Sequence, residues 1–409
     1  MSGPLVLIEP YANRLGGHHQ RTLAAFAHAR PGSLIIAPHG IADETVAALR
    51  GTGSRLVTAP LGRAAAVLRS ASRLAARMST AGQRVFRSRR WPCGLRRLPH
   101  QVRLVARCLA EASALRCARS LEPETDVVVI LTASEALHGA AALLGGQPHL
   151  RIVHEVVTTE DTAVRLLGRI AHRGEQRVIA VSPTQAVGDR LAASFPCLPG
   201  VVGSFAVDDG RRLSTAERDG GRVAFGIPPH EAVVCLVGGW WPYKDIAVVD
   251  AALARLKESL HLVVAGSPVE EDTLERWRAL PHLRLHTVPG PVGEAVLRLV
   301  YAAADAALVT RHPGVGKESG LVMDAARLGV PLIVSDHDPA LTACLSGQPW
   351  ALTFPTSDPD GLADALHTVI RQPLHNPDTE APRLLGMRSA TEQVDFLTRT
   401  FASLRPKES

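Results

Sequence analysis

Lysine is scarce: the 409 residues hold four, against 41 arginines. No run approaches the ~18 consecutive apolar residues that a membrane-spanning helix needs, so no transmembrane segment is expected. The start, Met1-Ser2-Gly3-Pro4, places no basic residue before Leu5-Val6-Leu7-Ile8, so a secretory leader is not expected. The six cysteines (Cys93, Cys108, Cys117, Cys197, Cys235 and Cys344) form no Cys-x-x-Cys pair. That argues against a metal knuckle and for reduced thiols in a cytoplasmic protein. Aromatic residues are only 4%, and only Phe86 and Trp91 interleave with the densest arginines. Platforms for base stacking are therefore poor, and no nucleic-acid partner is expected. What is present is a globular balance, 46% hydrophobic and 21% charged, at a length that suits two or three domains.

The net charge of +6 is unevenly spread. From Thr45 to Ala110 there are fourteen arginines and no Asp, Glu or Lys, which leaves the remainder at about −8. Such a segment is either a solvated face or a surface for an anionic partner. Within it, Val67, Leu68, Ala71, Leu74, Ala75 and Met78 share one helical stripe, with Arg69, Arg73 and Arg77 opposite. The expected arrangement buries the apolar stripe and turns the Arg row outward. The partner then expected for the Arg-rich segment 63–107 is an anionic membrane surface. Localisation would be cytoplasmic, peripheral on the inner face of the cell membrane.

Short β-branched runs alternate with stretches of helical period, which predicts α/β architecture: two doubly wound parallel-sheet domains facing a cleft. Expected strands include Leu5–Ile8, Leu34–Ala37, Asp126–Leu131 and Arg151–Val157, then Val233–Val237, Leu260–Ala265, Ala306–Val309 and Pro331–Val334. The polar, Gly-rich stretch from Asp208 to Gly221 reads as a linker. The domains are therefore placed at 1–205 and 222–385, with a linker at 206–221. A C-terminal helix in 386–409 is expected to pack back on the N-terminal domain.

Ligands of open α/β sheets bind beyond the carboxyl ends of strands, so three strand-to-helix loops are candidates. The first contains Gly16-Gly17 ahead of a helix, a pair that also occurs as an ordinary turn. The second is Gly238-Gly239-Trp240-Trp241-Pro242-Tyr243-Lys244, where a Lys at a helix start suits phosphate. Its Trp pair would otherwise plug a core edge. The third runs from Arg311 through Lys317, Glu318, Ser319 and Gly320 to Asp324. Two cations, free backbone amides and a helix N-terminus meet there, as a diphosphate requires.

The run Glu318-Ser319-Gly320-Leu321-Val322-Met323-Asp324-Ala325, followed by Gly329-Val330-Pro331, resembles the nucleotide-sugar domain of family 4 glycosyltransferases, which have the two-domain GT-B fold. The first domain is then the acceptor side. The likeness implies a retaining transfer of a sugar from a nucleoside diphosphate sugar to an acceptor hydroxyl. It implies that Lys244 binds the diphosphate and that Asp324 stands where the family contacts the ribose. His154, in Val153-His154-Glu155, resembles a family histidine at the donor sugar. Two positions depart from the pattern. Gly239 replaces an Arg five residues before Lys244, and Glu318 stands two residues closer to Asp324 than the family's first Glu. Arg311 or Lys317 would supply the missing charge.

The catalytic candidates are thus His154, Glu318 and Lys244. The donor-binding candidates are Gly16, Gly17, Lys244, Arg311, Lys317, Ser319, Gly320 and Asp324. Neither a metal nor another cofactor is expected, since a helix dipole and Lys can stand in for a cation. The alternatives are a nucleotide-sugar epimerase or a non-catalytic GT-B partner protein. A nucleic-acid-binding role is a distant third.

Overall fold

The computed structural model of the chain describes all residues except 1–3, 15–17, 87–91, 124, 126, 134, 136, 157–171 and 404–409. Two compact units emerge: one built on His19–Phe205, with the residues up to Arg14 and from Ala390 onward, the other on Ala206–Ser389.

Unit 1 is a seven-stranded parallel sheet. Its strands are β1 (Leu5–Ile8), β2 (Leu34–Ile36), β3 (Arg55–Val57), β4 (Val127–Ile130), β5 (His149–Ile152), β6 (Val178–Ser182) and β7 (Gly200–Val202), in the order β3-β2-β1-β4-β5-β6-β7. Leu7 of β1 stands beside Ile35 of β2 on one side and Val129 of β4 on the other. Every residue of β1, β2 and β4 is buried, as expected of strands covered on both faces. The order reverses between β1 and β4, so the carboxyl ends of these two strands frame the unit's switch point.

Around this sheet lie α1 (His18–Ala29), α2 (Asp43–Ala48), α3 (Arg63–Val85), α4 (Cys93–Leu121) and α5 (His138–Gly145). The pair α3 and α4 reverses the expected orientation of the apolar stripe. Ala65, Ser72 and Ser79 are buried, and the two serine hydroxyls donate to α4 carbonyls, Ser72 to Ala106 (2.7 Å) and Ser79 to Pro99 (2.7 Å). Small residues let the two helix backbones approach closely. The larger Val67, Leu74 and Met78 point outward, at 67%, 60% and 58% exposure, whereas Arg69 is buried. Arg73 and Arg77 are exposed, as expected. Of the other arginines in the segment, Arg87, Arg89 and Arg90 lie outside the described residues, as do Gly16 and Gly17. Helix Ala390–Ala402 groups with unit 1, packs near β4 and β5, and its Gln393 amide donates to the Ser204 carbonyl (3.1 Å).

Unit 2 carries a six-stranded parallel sheet. Its strands are β9 (Val233–Val237), β10 (Leu260–Gly266), β11 (Leu283–Pro289), β12 (Ala306–Val309), β13 (Leu332–Ser335) and β14 (Ala351–Phe354), ordered β11-β10-β9-β12-β13-β14. A separate two-residue pairing joins β8 (Val207–Asp208) to β15 (Arg388–Ser389). Alternation along β9 feeds two cores: Val233, Cys235 and Val237 pack on one face, Val234 and Leu236 on the other. The switch point lies between β9 and β12.

The expected linker 206–221 is not one. After β8, Thr215–Phe225 forms a helix opened by a capping box in which Ser214 and Glu217 satisfy each other's backbone amides. Gly221 sits where a Cβ would come within 2.7 Å of the Ala303 backbone nitrogen. Its glycine serves close helix packing rather than flexibility. Strand β5 also differs from expectation, ending at Ile152, so that His154 lies in the loop beyond it.

Candidate functional site

In unit 2 the loops after β9 and β12 meet. Gly238 adopts a left-handed conformation (φ 81°), and a Cβ at Gly239 would fall 2.2 Å from the Ser267 carbonyl oxygen. The missing arginine at 239 therefore has a steric reason: only glycine fits unless the backbone moves. Trp240 turns inward and tilts against the buried Trp277, with ring centroids 5.3 Å apart, while Trp241 is half exposed.

Lys244 is buried, and its ammonium donates to the carbonyls of Val237 (2.6 Å) and Gly238 (3.1 Å) at the end of β9. Burial, and secondarily the charge of Arg311, push this ammonium down to about 7. Asp245 then caps helix Ile246–Leu253, accepting from the Val248 amide (3.1 Å).

Arg311 is buried at the end of β12, where its guanidinium donates to the Lys317 carbonyl (2.7 Å). The Lys317 ammonium lies over the Tyr243 ring, 3.6 Å from its centroid, and the Arg311 guanidinium stands 5.5 Å from the same centroid. The His312 amide donates to the Tyr243 carbonyl (3.0 Å), tying the two loops together. Arg311 and Lys317 thus share the Tyr243 ring, and the neighbouring Lys244 feels the charge of Arg311. Ser319 caps helix Gly320–Leu328, its hydroxyl accepting from the Val322 amide, and Glu318 is half-buried just before it.

His337, two residues past β13, was not singled out by the sequence. Its Nδ1 donates to the Ser335 carbonyl (2.8 Å), and its buried Nε2 has no hydrogen-bond partner among the described residues. Burial first, then Arg311, hold this imidazole at about 4, so it is neutral at physiological pH.

Asp324 lies on the buried side of its helix, with its carboxylate 3.6 Å from Arg327. Arg327 is itself fully buried and also pairs with Asp209 (3.0 Å) and Glu294 (3.2 Å). Burial alone would lower the Arg327 pKa, but Asp324, Asp209 and Glu294 together hold it above its ordinary value.

His154 sits in unit 1, separate from this group in the chain's organisation. Its Nε2 donates to the Leu131 carbonyl (3.0 Å), and its ring packs edge-on against Phe205 (4.2 Å). It belongs to a polar cluster at the carboxyl ends of β1, β4 and β5 that sequence reasoning missed. Glu9 is buried directly after β1 and accepts from the Tyr11 amide (2.7 Å) and the Thr132 hydroxyl (3.0 Å). That hydroxyl is equally close to His19 Nδ1 (2.9 Å). Burial pushes the Glu9 carboxyl up to about 7 against the pull of these donors and Arg14. His19 is held at about 3 by burial, then by His154 and Arg14. The one sequence signal was a carboxylate closing a fully apolar run, Leu5–Ile8.

Among the described residues, no group of three His, Cys, Asp or Glu is placed to hold a metal ion, and no helix is long and apolar enough to cross a membrane.

Residues 231–372 match the family described as glycosyl transferases group 1. A curated relative, the D-inositol 3-phosphate glycosyltransferase of Rhodococcus opacus (strain B4), is 30% identical over 250 residues, covering 56% of this chain and 55% of that protein. The chain thus matches about half the length of that relative. Solved structures align over nearly everything. A glycosyltransferase from Rickettsia africae gives a TM-score of 0.66 at 11% identity, covering all of both chains. Anabaena HepE in complex with UDP and glucose gives 0.63 at 13%, covering 98% of this chain and 100% of that one. A UDP-forming trehalose-phosphate synthase from Burkholderia xenovorans, in complex with glucose-6-phosphate, gives 0.64 at 14%, with the same coverage. The chain therefore has the GT-B fold of two parallel-sheet units, and its residues 231–372 are similar in sequence to group 1 glycosyl transferases.

Proposed function

We propose that the protein is a retaining, hexosyl-transferring glycosyltransferase that takes its sugar from a nucleoside diphosphate sugar. The observation that carries this reading is the convergence of Lys244, Arg311 and Lys317 beside the N-terminus of helix Gly320–Leu328, at the switch point of unit 2. Cleaving the anomeric C–O bond builds charge on the departing diphosphate, and preorganised cations and amides stabilise that charge as it forms. HepE, of like fold, was solved with UDP and glucose, which supports a diphosphate donor. No metal is assigned to the site, since three cations and a helix dipole supply the positive field. Retention rests on the family resemblance.

In this reading Lys244, Arg311, Lys317, Ser319 and Gly320 hold the diphosphate. Glu318 serves the donor sugar, and Asp324 is the ribose candidate. By the family resemblance, His154, Gly16 and Gly17 are also assigned to the donor. A non-catalytic or epimerising role is favoured by one observation, the steric exclusion of any side chain at Gly239. Incubation with UDP-, GDP-, ADP- and dTDP-glucose, with free nucleotide as the readout, separates the two: release of one nucleotide supports the transferase, and no release from any of them contradicts it.

We further assign the outer face of α3 to an anionic membrane surface. Val67, Leu74 and Met78 form its exposed stripe, and the exposed Arg63, Arg73, Arg77 and Arg84 run along one flank. An apolar stripe edged by arginines matches a lipid interface in both chemistry and charge, with about 1 kcal/mol per basic residue near the surface. Flotation with phosphatidylglycerol vesicles at low salt tests this. Loss of binding on L74Q/M78Q, or on raising salt, is expected; no flotation at low salt sinks the assignment.

A further inference from the structure

Glu9, Thr132 and His19 meet at the switch point of unit 1 and take no part in the donor assignment above. Glu9 is buried, and its two oxygens have different partners. Oε1 accepts from the Tyr11 amide (2.7 Å) and Oε2 from the Thr132 hydroxyl (3.0 Å). The same hydroxyl lies 2.9 Å from His19 Nδ1, whereas Nδ1 and Glu9 Oε2 are 3.9 Å apart. Carboxylate and imidazole are therefore coupled through Thr132 rather than directly.

A hydroxyl has one proton to give. When ionised Glu9 receives it, His19 Nδ1 bonds to Thr132 only by donating. The ring proton then sits on Nδ1, and Nε2 is left as an acceptor. When Glu9 is protonated, the Tyr11 amide still occupies Oε1, so the carboxyl proton sits on Oε2. It points at Thr132, Thr132 donates to Nδ1, and the ring proton sits on Nε2. His19 stays neutral through this change, since burial first, then His154 and Arg14, hold it at about 3. Only the place of its single proton alters. Glu9 changes charge at about 7, burial raising it against Tyr11, Thr132 and Arg14. The other charged and titratable groups nearby are His154 beyond β5 and Arg107 of α4, whose guanidinium stands 5.5 Å from the Tyr11 ring centroid.

We infer that Glu9 and Thr132 are positioning residues that keep the ring proton of His19 on Nδ1, so that its Nε2 accepts a hydrogen bond from the hydroxyl that attacks the donor. The His19 side chain is 18% exposed, open enough for one ligand contact. A hydroxyl whose proton is engaged there keeps an oxygen lone pair for the anomeric carbon. That oxygen bonds to the carbon as the C–O bond to the diphosphate breaks. The proton goes to the departing diphosphate, a stronger base than this imidazole. The hydroxyl assignment rests on the transferase reading, whereas the proton placement at His19 does not.

The test begins with the full chain and no ligand. Nitrogen NMR of histidine-labelled protein reports which ring nitrogen holds the proton, with H19Q giving the assignment. Wild type should carry it on Nδ1 at pH 8.5 and on Nε2 at pH 5. In E9Q the amide oxygen faces the Tyr11 amide and the NH2 group faces Thr132, so the proton should sit on Nε2 at both pH values. T132V removes the relay and should make the tautomer independent of pH, while T132S should behave as wild type. A merely structural cluster would lose stability in these variants without moving a proton. A proton on Nε2 in wild type at pH 8.5, or the same tautomer in wild type and E9Q at that pH, overturns the relay. Nucleotide release from the nucleoside diphosphate glucose that wild type consumes then tests the hydroxyl, with water in the acceptor's place. At pH 8.5, E9Q and T132V should lower kcat at least tenfold with donor KM unchanged, and T132S should restore it. An unchanged kcat, with or without a raised donor KM, overturns the hydroxyl assignment. No release by wild type removes the transferase reading and the hydroxyl assignment with it, and leaves the tautomer result standing.

Discussion

The Lys317 ammonium rests over the face of Tyr243, 3.6 Å from the ring centroid, so a residue of the β12 loop is positioned by a residue of the β9 loop. An aromatic face holds a cation without neutralising it, and the ammonium keeps its charge for an incoming anion. Tyr243→Leu should preserve the fold and raise KM for the donor by several-fold. A KM unchanged in Y243L would show that the ring plays no part in placing Lys317.

Replacing Lys244 or Lys317 with Ala should lower kcat/KM about 10²-fold, roughly 2.7 kcal/mol, as for a lost transition-state charge partner. Steady-state kinetics beside circular dichroism check this. Normal turnover in both folded variants would remove the diphosphate assignment.

The depressed Lys244 ammonium gives a pH signature. With its pKa at about 7 in the free protein, an arriving diphosphate favours the charged form and raises it. Binding should therefore take up a proton near and above pH 7, and affinity should fall as pH rises through that range. Stability moves the other way. Unfolded Lys holds its proton up to 10.5, so the burial penalty is fully present below about 7 and is relieved as pH rises toward 10.5. K244M should accordingly stabilise the protein at pH 6 more than at pH 9. Calorimetry in two buffers of different ionisation enthalpy reads the proton uptake; no buffer dependence in wild type would contradict it.

Much of the frame was legible. Strands β1, β4, β9 and β12 are apolar runs because both of their faces are buried, and loop positions follow from strand order. The α3 face was not legible. Periodicity separates its two sides, but which one turns inward depends on the close approach of α4 through Ala65, Ser72 and Ser79. Gly220-Gly221 read as a flexible break, yet Gly221 is there for packing against Ala302 and Ala303. Glu9, His19 and Thr132 are single residues far apart in sequence, brought together only by the sheet. Tyr243 stood within a chosen loop, but its role as a platform needs the β12 loop above it.

The buried arginine of unit 2 should matter for folding. Arg327→Met leaves Asp324 buried without its partner and should cost about 3–5 kcal/mol, read as a lower midpoint in urea. Asp324→Asn should cost less, since Asp209 and Glu294 still pair with Arg327. Equal, negligible losses in both would mean that the cluster does not hold the helix in place.

Glu9 offers a second pH test. Its carboxyl titrates at about 7 in the folded chain against 4.5 ordinarily, so the native state binds more protons between these values. Stability should fall as pH rises through that window, the penalty being absent below 4.5 and complete above about 7. E9Q should therefore raise Tm at pH 8.5 and leave it nearly unchanged at pH 4.5. A constant difference across pH would show that Glu9 is ionised throughout.

The most direct test of the central claim is isothermal titration of the wild-type chain and of K244M with UDP, GDP, ADP and dTDP. One nucleoside diphosphate should bind wild type, and K244M should lose at least tenfold in affinity for it, about 1.4 kcal/mol. Binding of none of the four, or equal binding by the two proteins, would contradict a donor site built on Lys244.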